Sequence, residues 1–195
     1  MTQHRIAIFA SGSGTNAENI AVFFKNHPEI KVVLTLTNNP QAGVINRMKK
    51  LRIPCLVFSG SDLYYSGNVM KILKDHRIDF IVLAGFLLKI PSSLLQAFPW
   101  KIVNIHPALL PKYGGKGMYG MNVHEAVKAA GEKQTGITIH YLNENYDEGQ
   151  IIFQAVCEIN PETDTAESIA EKVHQLEYQY YPKIIEKILT EINSK

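Results

Sequence analysis

The segment Asn104-Ile105-His106-Pro107 combines side chains that could act together on a carbonyl group. The preceding segment Trp100-Lys101-Ile102-Val103 predicts the end of a short buried strand, on which Asn104 and His106 point to the same face. Pro107 cannot donate to a sheet ladder, so the chain must leave the sheet there. An amide and an imidazole at the carboxyl end of a strand offer two hydrogen-bond donors to an oxygen that becomes negative during reaction. The alternative is a strand-end Asn and His that only hold a turn together.

Asp147 is the candidate carboxylate partner of His106. It lies in the loop predicted between two late strands, where it could face the histidine. A carboxylate beside an imidazole favours the charged form, so this contact would raise the histidine pKa toward neutral pH. An ordinary turn aspartate is the alternative, because Tyr146-Asp147-Glu148-Gly149 is also typical of a turn. A zinc site formed by His106, His124 and Asp147 is a third interpretation, which the histidine spacing disfavours.

The segment Ser11-Gly12-Ser13-Gly14-Thr15-Asn16-Ala17 joins the first predicted strand to the first predicted helix. Its glycine spacing matches the dinucleotide fingerprint, but that fingerprint needs an acidic residue about 20 positions later, where the chain has Thr37-Asn38-Asn39-Pro40. No Walker lysine follows the glycines. The loop instead suits a terminal phosphate monoester at a helix N-terminus, with Gly14, Thr15 and Asn16 as candidate contacts. A purely structural turn with Thr15 as the helix cap is the alternative.

Length and composition indicate a single domain over residues 1–195, since 195 residues of which 46% are hydrophobic can bury a full core. The net charge of +2 is spread along the chain without a basic run, which disfavours a nucleic-acid partner. Cys55 and Cys157 stand in apolar runs without C-x-x-C spacing, as is typical of reduced residues in a cytoplasmic protein. No signal peptide or membrane span is expected, because no apolar run is long enough.

Strand and helix patterns alternate along the first two thirds of the chain. Strands are predicted at 5–10, 31–37, 55–58, 80–84 and 101–105, and helices at 15–25, 41–51, 63–76 and from Pro91. This order is typical of an α/β fold with a Rossmann-like, mostly parallel twisted sheet flanked by helices. Two late strands at 135–142 and 150–159 are predicted to be antiparallel. A long C-terminal helix follows from Thr165 to about Ile192, kinked at Pro182, with an apolar stripe through Ile169, Val173, Leu176, Tyr180 and Ile184.

Several motifs resemble those of the folate-dependent formyltransferases, over nearly the whole chain. They are Ser11-Gly12-Ser13-Gly14-Thr15-Asn16, Leu83-Ala84-Gly85-Phe86, Asn104-Ile105-His106-Pro107 with Leu109-Leu110-Pro111-Lys112-Tyr113, and Asp147-Glu148-Gly149. The Asn-x-His-Pro segment and the downstream aspartate mark the wider group. The early glycine loop and the final helix make the chain similar to the phosphoribosylglycinamide formyltransferase branch.

This resemblance implies formyl transfer from 10-formyltetrahydrofolate, a co-substrate, to the amine of glycinamide ribonucleotide in purine biosynthesis, with no metal. It implies catalytic roles for Asn104, His106 and Asp147. The substrate-binding positions are Gly14, Thr15 and Asn16 at the phosphate and His174 and Glu177 at the glycinamide end. The folate positions are Leu87, Leu88, Lys89 and Ile90, whose backbone reads the pterin, together with Asn104 and the loop residues Asn143 and Glu144. Within the one domain, residues ~1–100 would bind the ribonucleotide phosphate and residues ~101–195 would be catalytic and folate-binding. A monomer or homodimer is expected.

Rival functions share parts of this pattern. Methionyl-tRNA formyltransferases carry a further carboxyl-terminal RNA-binding domain, for which 195 residues are expected to leave no room. Formyltetrahydrofolate hydrolases follow an amino-terminal regulatory domain, which this sequence is not expected to include. A non-catalytic folate- or nucleotide-binding protein is the alternative from another class, against which the intact trio argues. The chain departs from some relatives in a longer loop through Lys116-Gly117-Met118-Tyr119. It also lacks the basic residue that some relatives carry between Ser59 and Met70.

Overall fold

The computed structural model describes residues 3–193. Its strands are β1 (His4–Phe9), β2 (Ile30–Thr37), β3 (Cys55–Val57), β4 (Phe80–Leu83), β5 (Ile102–His106), β6 (Gln134–Tyr141) and β7 (Ile151–Glu158). Its helices are α1 (Thr15–Phe23), α2 (Gly43–Leu51), α3 (Gly60–Tyr64), α4 (Asn68–Asp75), α5 (Ser92–Ala97), α6 (Met121–Ala129) and α7 (Ala166–Asn193). The strands form one seven-stranded sheet in the order β3-β2-β1-β4-β5-β6-β7. The predicted α/β fold class is confirmed.

The first of two compact units comprises Met1–Val103 and Pro182–Lys195. In it, β1 pairs in parallel with β2 on one side and with β4 on the other. All four residues of β4 are buried, which explains why its sequence is a continuous apolar run rather than an alternating one. Because these strands are parallel, the loops that follow β2, β1 and β4 leave the sheet at the same edge.

The second unit comprises Asn104–Tyr181. Its strands β6 and β7 are antiparallel, as predicted, and their register shifts between Ile139 and His140. Helix α6 is not among the elements predicted from the sequence. Its buried residues are Val123, His124 and Val127, and the histidine on this inward face obscures the apolar period that would have revealed the helix.

Two helix predictions need correction. The helix predicted at 63–76 is two helices, α3 and α4, because Gly67 adopts a left-handed conformation with φ 73° at the N-cap of α4. In α7 the buried residues follow the predicted stripe as far as Val173. Beyond it they include Glu177, Tyr181 and Ile185, in place of the predicted Leu176, Tyr180 and Ile184. Both series have helical spacing, so sequence periodicity could not distinguish them. Helix α7 continues through Pro182. Among residues 3–193, none of the helices has the length and apolar character required to cross a membrane.

Candidate active site

His106 ends strand β5 and is almost completely buried, with 3% of its surface exposed. Its Nε2 lies 2.7 Å from the carbonyl oxygen of Tyr113. A carbonyl can only accept a hydrogen bond, so Nε2 carries the proton of the neutral imidazole. This bond fixes the tautomer and leaves Nδ1 as the nitrogen that is free to take up a proton.

The Asp147 carboxylate lies beside that nitrogen. Its Oδ2 is 3.6 Å from His106 Nδ1 and accepts a hydrogen bond of 2.9 Å from the backbone N–H of Gly115. Asp147 has a left-handed φ of 55°, and the loop that carries it is closed by Gly149, where any Cβ would overlap the Tyr141 carbonyl. The structure therefore brings together Asp147 and His106, the carboxylate and the imidazole that were predicted to be partners.

Asn104 is oriented by a residue that the sequence did not single out, His140. The Nδ1 of His140 donates to the Tyr141 carbonyl at 2.9 Å, so its Nε2 is the acceptor of the neutral ring. The amide nitrogen of Asn104 lies 3.2 Å from that Nε2 and donates to it. One N–H of the Asn104 amide is thus used for orientation, and the other is left to donate elsewhere.

His140 also lies near Asp147, with its Nε2 3.7 Å from Oδ1 of the carboxylate. The carboxylate therefore stands between two buried imidazoles, those of His106 and His140. The sequence signal for His140 is a lone histidine one residue before the end of strand β6, at a place where the strand register shifts. A shift of register re-aims a side chain, and such shifts are common next to functional sites.

Burial outweighs the carboxylate in setting the charge of His106. Desolvation lowers the pKa of His106 below its ordinary value of 6.5, while the Asp147 charge and the hydrogen bond to Tyr113 oppose this change. The predicted effect of Asp147 has the expected sign, but the predicted net rise of the pKa is wrong. The pKa of His140 is lowered for the same first reason. Both rings are neutral at pH 7.

A second group of side chains in this unit comprises Glu177 and His174 on α7 and His124 on α6. Glu177 is 5% exposed, and its Oε2 lies 4.0 Å from Nε2 of His174, one turn earlier, as the sequence predicted. The rings of His174 and His124 make an edge contact at 6.5 Å. Burial, together with the neighbouring His174 and His106, lowers the pKa of His124 to about 4. Glu177 is therefore a carboxylate in the buried stripe of the helix.

The glycine loop begins helix α1 in the first unit. The N-cap is Gly14, with φ 76° and no side-chain cap, so the alternative in which Thr15 caps the helix is wrong. Backbone N–H groups of the first turn thus have no capping side chain, which suits an anion. A Cβ at Gly14 would overlap Val44 of α2, so this glycine is required by packing as well as by backbone conformation.

The segment from Leu87 to Ile90 follows β4 in the same unit. Leu87 is exposed and Ile90 is buried, so the segment presents its first part to solvent and anchors its last residue in the core. The hydroxyl of Tyr64, at the end of α3, donates to the Lys89 carbonyl at 2.9 Å. The stretch from Ser59 to Met70, which lacks a basic residue, thus contributes a tyrosine that hydrogen-bonds to this segment.

Asn143 and Glu144 lie in the exposed loop between β6 and β7. Asn143 stabilises the loop itself, because its side chain accepts from the N–H of Asn145 at 2.9 Å and donates to the Glu148 carbonyl at 3.1 Å. Among residues 3–193 there is no group of three or more His, Cys, Asp or Glu side chains arranged to hold a metal ion. The grouping of His106, His124 and Asp147 considered from the sequence is accordingly not a metal centre in this part of the chain.

The sequence profile of the formyl transferase family matches residues 4–185. The chain belongs to this family. The family membership predicted from the sequence is thereby confirmed.

Relatives of known name match this formyl transferase over almost its whole length. The chloroplastic phosphoribosylglycinamide formyltransferase of Arabidopsis thaliana is 38% identical over 199 residues, covering 96% of this chain and 66% of the plant protein. The phosphoribosylglycinamide formyltransferase of Bacillus subtilis is 37% identical, covering 95% of this chain and 94% of that protein. The crystal structure of phosphoribosylglycinamide formyltransferase from Bacillus halodurans matches with a TM-score of 0.84 and 40% identity, covering 95% of both chains. The formyl transferase thus spans just under two thirds of the plant relative's length and nearly all of the two bacterial proteins.

Proposed function

We propose that this formyl transferase moves a formyl group from 10-formyltetrahydrofolate to the amine of glycinamide ribonucleotide, a step of purine biosynthesis. The observation that carries the proposal is the Asp147 carboxylate held by Gly115 beside two buried imidazoles, at 3.6 Å from His106 and 3.7 Å from His140. Such an arrangement can move one proton, and the Asn104 amide held by His140 can stabilise one negative oxygen. An enzyme needs both when an amine attacks a formyl carbon.

In the proposed reaction the amine nitrogen bonds to the formyl carbon, and the carbonyl oxygen becomes negative in the tetrahedral intermediate. Asn104 donates its second amide N–H to that oxygen, because His140 holds the first one. A donor held in place before the reaction needs no reorganisation as charge develops. His140 is in this scheme a positioning residue for Asn104.

His106 acts on the proton. Its neutral ring presents the Nδ1 lone pair on the side of Asp147, so Nδ1 takes a proton from the attacking amine. The Asp147 charge, 3.6 Å away, stabilises the imidazolium that forms. His106 then donates the proton to the folate nitrogen as the bond from that nitrogen to the formyl carbon breaks. A pKa below 6.5 suits this cycle, because the histidine starts neutral.

Binding groups are proposed on the same basis. Gly14, Thr15 and Asn16 would hold the phosphate at the start of α1, where backbone N–H groups and the helix dipole favour an anion. His174 and Glu177 would hold the glycinamide end, with the carboxylate pairing with its amine. Folate positions are proposed as the resemblance implies them: Leu87, Leu88, Lys89, Ile90, Asn104, Asn143 and Glu144. We further propose a monomer or homodimer that acts in the cytoplasm.

The test is formyl transfer by the purified protein with glycinamide ribonucleotide and 10-formyltetrahydrofolate, followed by the absorbance of the released folate. Replacing His106 or Asn104 with alanine should lower turnover by about 10²-fold or more, since each removes a group that acts in the transition state. His76→Ala, a histidine at the end of α4, serves as the control and should retain wild-type turnover.

Each outcome distinguishes one function from another. Folate release without the ribonucleotide would indicate a hydrolase, because water would then replace the amine. Binding of both compounds without formyl transfer would indicate a non-catalytic binding protein. Near-normal turnover in either alanine variant would refute the assigned catalytic roles.

A further inference from the structure

Ser11 is the residue through which β1 enters the glycine loop, and it is buried, with 6% of its surface exposed. Strand β1 lies between β2 and β4, so the loops that follow both neighbours come within reach of Ser11. Its hydroxyl donates to Oδ1 of Asn38, after β2, at 2.6 Å. The same hydroxyl accepts the backbone N–H of Leu87, after β4, at 3.0 Å.

These two bonds determine what the hydroxyl can do. A serine hydroxyl has a single hydrogen to donate, and in Ser11 that hydrogen is committed to Asn38. Ser11 therefore has no O–H left to donate to a phosphate, although it stands in the loop proposed to bind one. The residue acts within the first unit as a junction between three loops.

The backbone of Ser11 strengthens this junction. Its N–H donates to the Gly85 carbonyl at 3.0 Å, and its carbonyl accepts a hydrogen bond of 3.4 Å from the side chain of Asn39. The segment after β4 is thus fixed at Gly85 and Leu87 by Ser11, and at Lys89 by the Tyr64 hydroxyl. Every second residue from Gly85 to Lys89 therefore has a backbone group that is hydrogen-bonded to Ser11 or to Tyr64.

We propose that Ser11 is a positioning residue for the folate rather than a contact of the ribonucleotide phosphate. The proposal rests on the proposed function, in which the backbone from Leu87 to Ile90 reads the pterin. A backbone that reads a flat, polar ring system must hold its N–H and carbonyl groups in fixed directions before the ligand arrives. The Ser11 hydroxyl fixes the first of these residues by accepting the Leu87 N–H. That N–H is therefore used for positioning, and the Leu87 carbonyl and the backbone of the following residues are left to contact the pterin.

Ser11→Ala removes this hydroxyl and leaves the catalytic residues of the second unit unchanged. We expect the KM for 10-formyltetrahydrofolate and the dissociation constant for tetrahydrofolate, measured by calorimetry, to rise about tenfold, the effect of one lost buried hydrogen bond. The KM for glycinamide ribonucleotide and kcat should change by less than about threefold. A variant that was only destabilised would lose active enzyme, and so apparent kcat, without this selective change in the folate constants.

Ser13→Ala is the matched control, because it is the same substitution two residues later in the same loop, at an exposed serine. It should leave the folate constants at their wild-type values. Unchanged folate constants in Ser11→Ala would overturn the proposal. A ribonucleotide KM raised as much as the folate KM would also overturn it, since Ser11 would then belong to the phosphate site.

Hydrogen exchange of the Leu87 amide in the ligand-free protein tests the positioning separately from the activity. The wild-type amide should be protected, and Ser11→Ala should speed its exchange about tenfold or more, while Ser13→Ala should not. A wild-type Leu87 amide that exchanges as fast as an unstructured one would overturn the proposal even if Ser11→Ala did not fold. If the Leu87 amide were protected by Ser11 but the wild-type protein neither transferred formyl groups nor bound folate, the proposed function would be refuted. The hydrogen-bonded junction at Ser11 would still be supported, but not its role in folate binding.

Discussion

Replacing His124 with phenylalanine should make the stability of the protein less sensitive to acid. His124 is 2% exposed on the inward face of α6, and among the described residues its Nδ1 is buried without a hydrogen-bond partner. Burial and the neighbouring His174 and His106, which would also be positive when protonated, lower its pKa to about 4. Phenylalanine fills a similar volume but has no proton to gain.

The sign and size of the effect follow from linkage. The unfolded chain takes up the proton near the ordinary pKa of 6.5, before the folded protein does at about 4, so stability falls as the pH falls between these values. Each unit of pKa difference corresponds to about 1.4 kcal/mol. His124 therefore costs the folded state about 2 kcal/mol between pH 7 and pH 5, and about 3 kcal/mol once the pH is below 4.

The assay is urea unfolding of wild type and variant at pH 7 and pH 5. The loss of unfolding free energy between the two pH values should be smaller by about 2 kcal/mol in His124→Phe than in wild type. Val127→Ala, a buried residue on the same face of α6, should lower stability by about 1–3 kcal/mol at both pH values and keep the wild-type pH dependence. Equal pH dependence in His124→Phe and wild type would refute the reasoning.

Three further predictions concern the site. Asp147→Asn removes the charge that favours imidazolium, so NMR titration should show the pKa of His106 lowered further, and an unchanged value would reduce Asp147 to a positioning role. His140→Leu removes the acceptor that orients the Asn104 amide and should lower kcat about tenfold with little change in either KM, whereas a change in KM alone would contradict this role. Gly14→Val should lower the thermal unfolding temperature by several degrees, because its side chain would overlap α2. Full stability combined with weak ribonucleotide binding would instead show a purely functional glycine.

Local pattern was sufficient for much of the fold and for the central pair of the site. The alternation of strands and helices follows from periodicity within short windows, which is a local property of the chain. Asn104 and His106 share a face of β5 because side chains in a strand alternate, whatever surrounds them. The break at Pro107 and the glycine loop before α1 are equally local.

Other features depend on which residues are brought near from elsewhere in the chain. Helical spacing allows the buried stripe of α7 to run through Leu176 or through Glu177. Packing against the rest of the protein determines that Glu177 is the buried residue. The role of His140 depends on Asn104, which is 36 residues away in sequence. The junction at Ser11 likewise joins loops that the sequence separates by 27 and 76 residues.

The charge of His106 shows the same division. From the sequence, a carboxylate near an imidazole predicts a raised pKa, and the contact with Asp147 is indeed present at 3.6 Å. Burial of the ring opposes that charge and prevails. The sequence by itself determined which groups carry the chemistry, because residue type and strand alternation are local. Only the tertiary structure decided their protonation and orientation, because desolvation and hydrogen-bond partners arise from the whole surrounding fold.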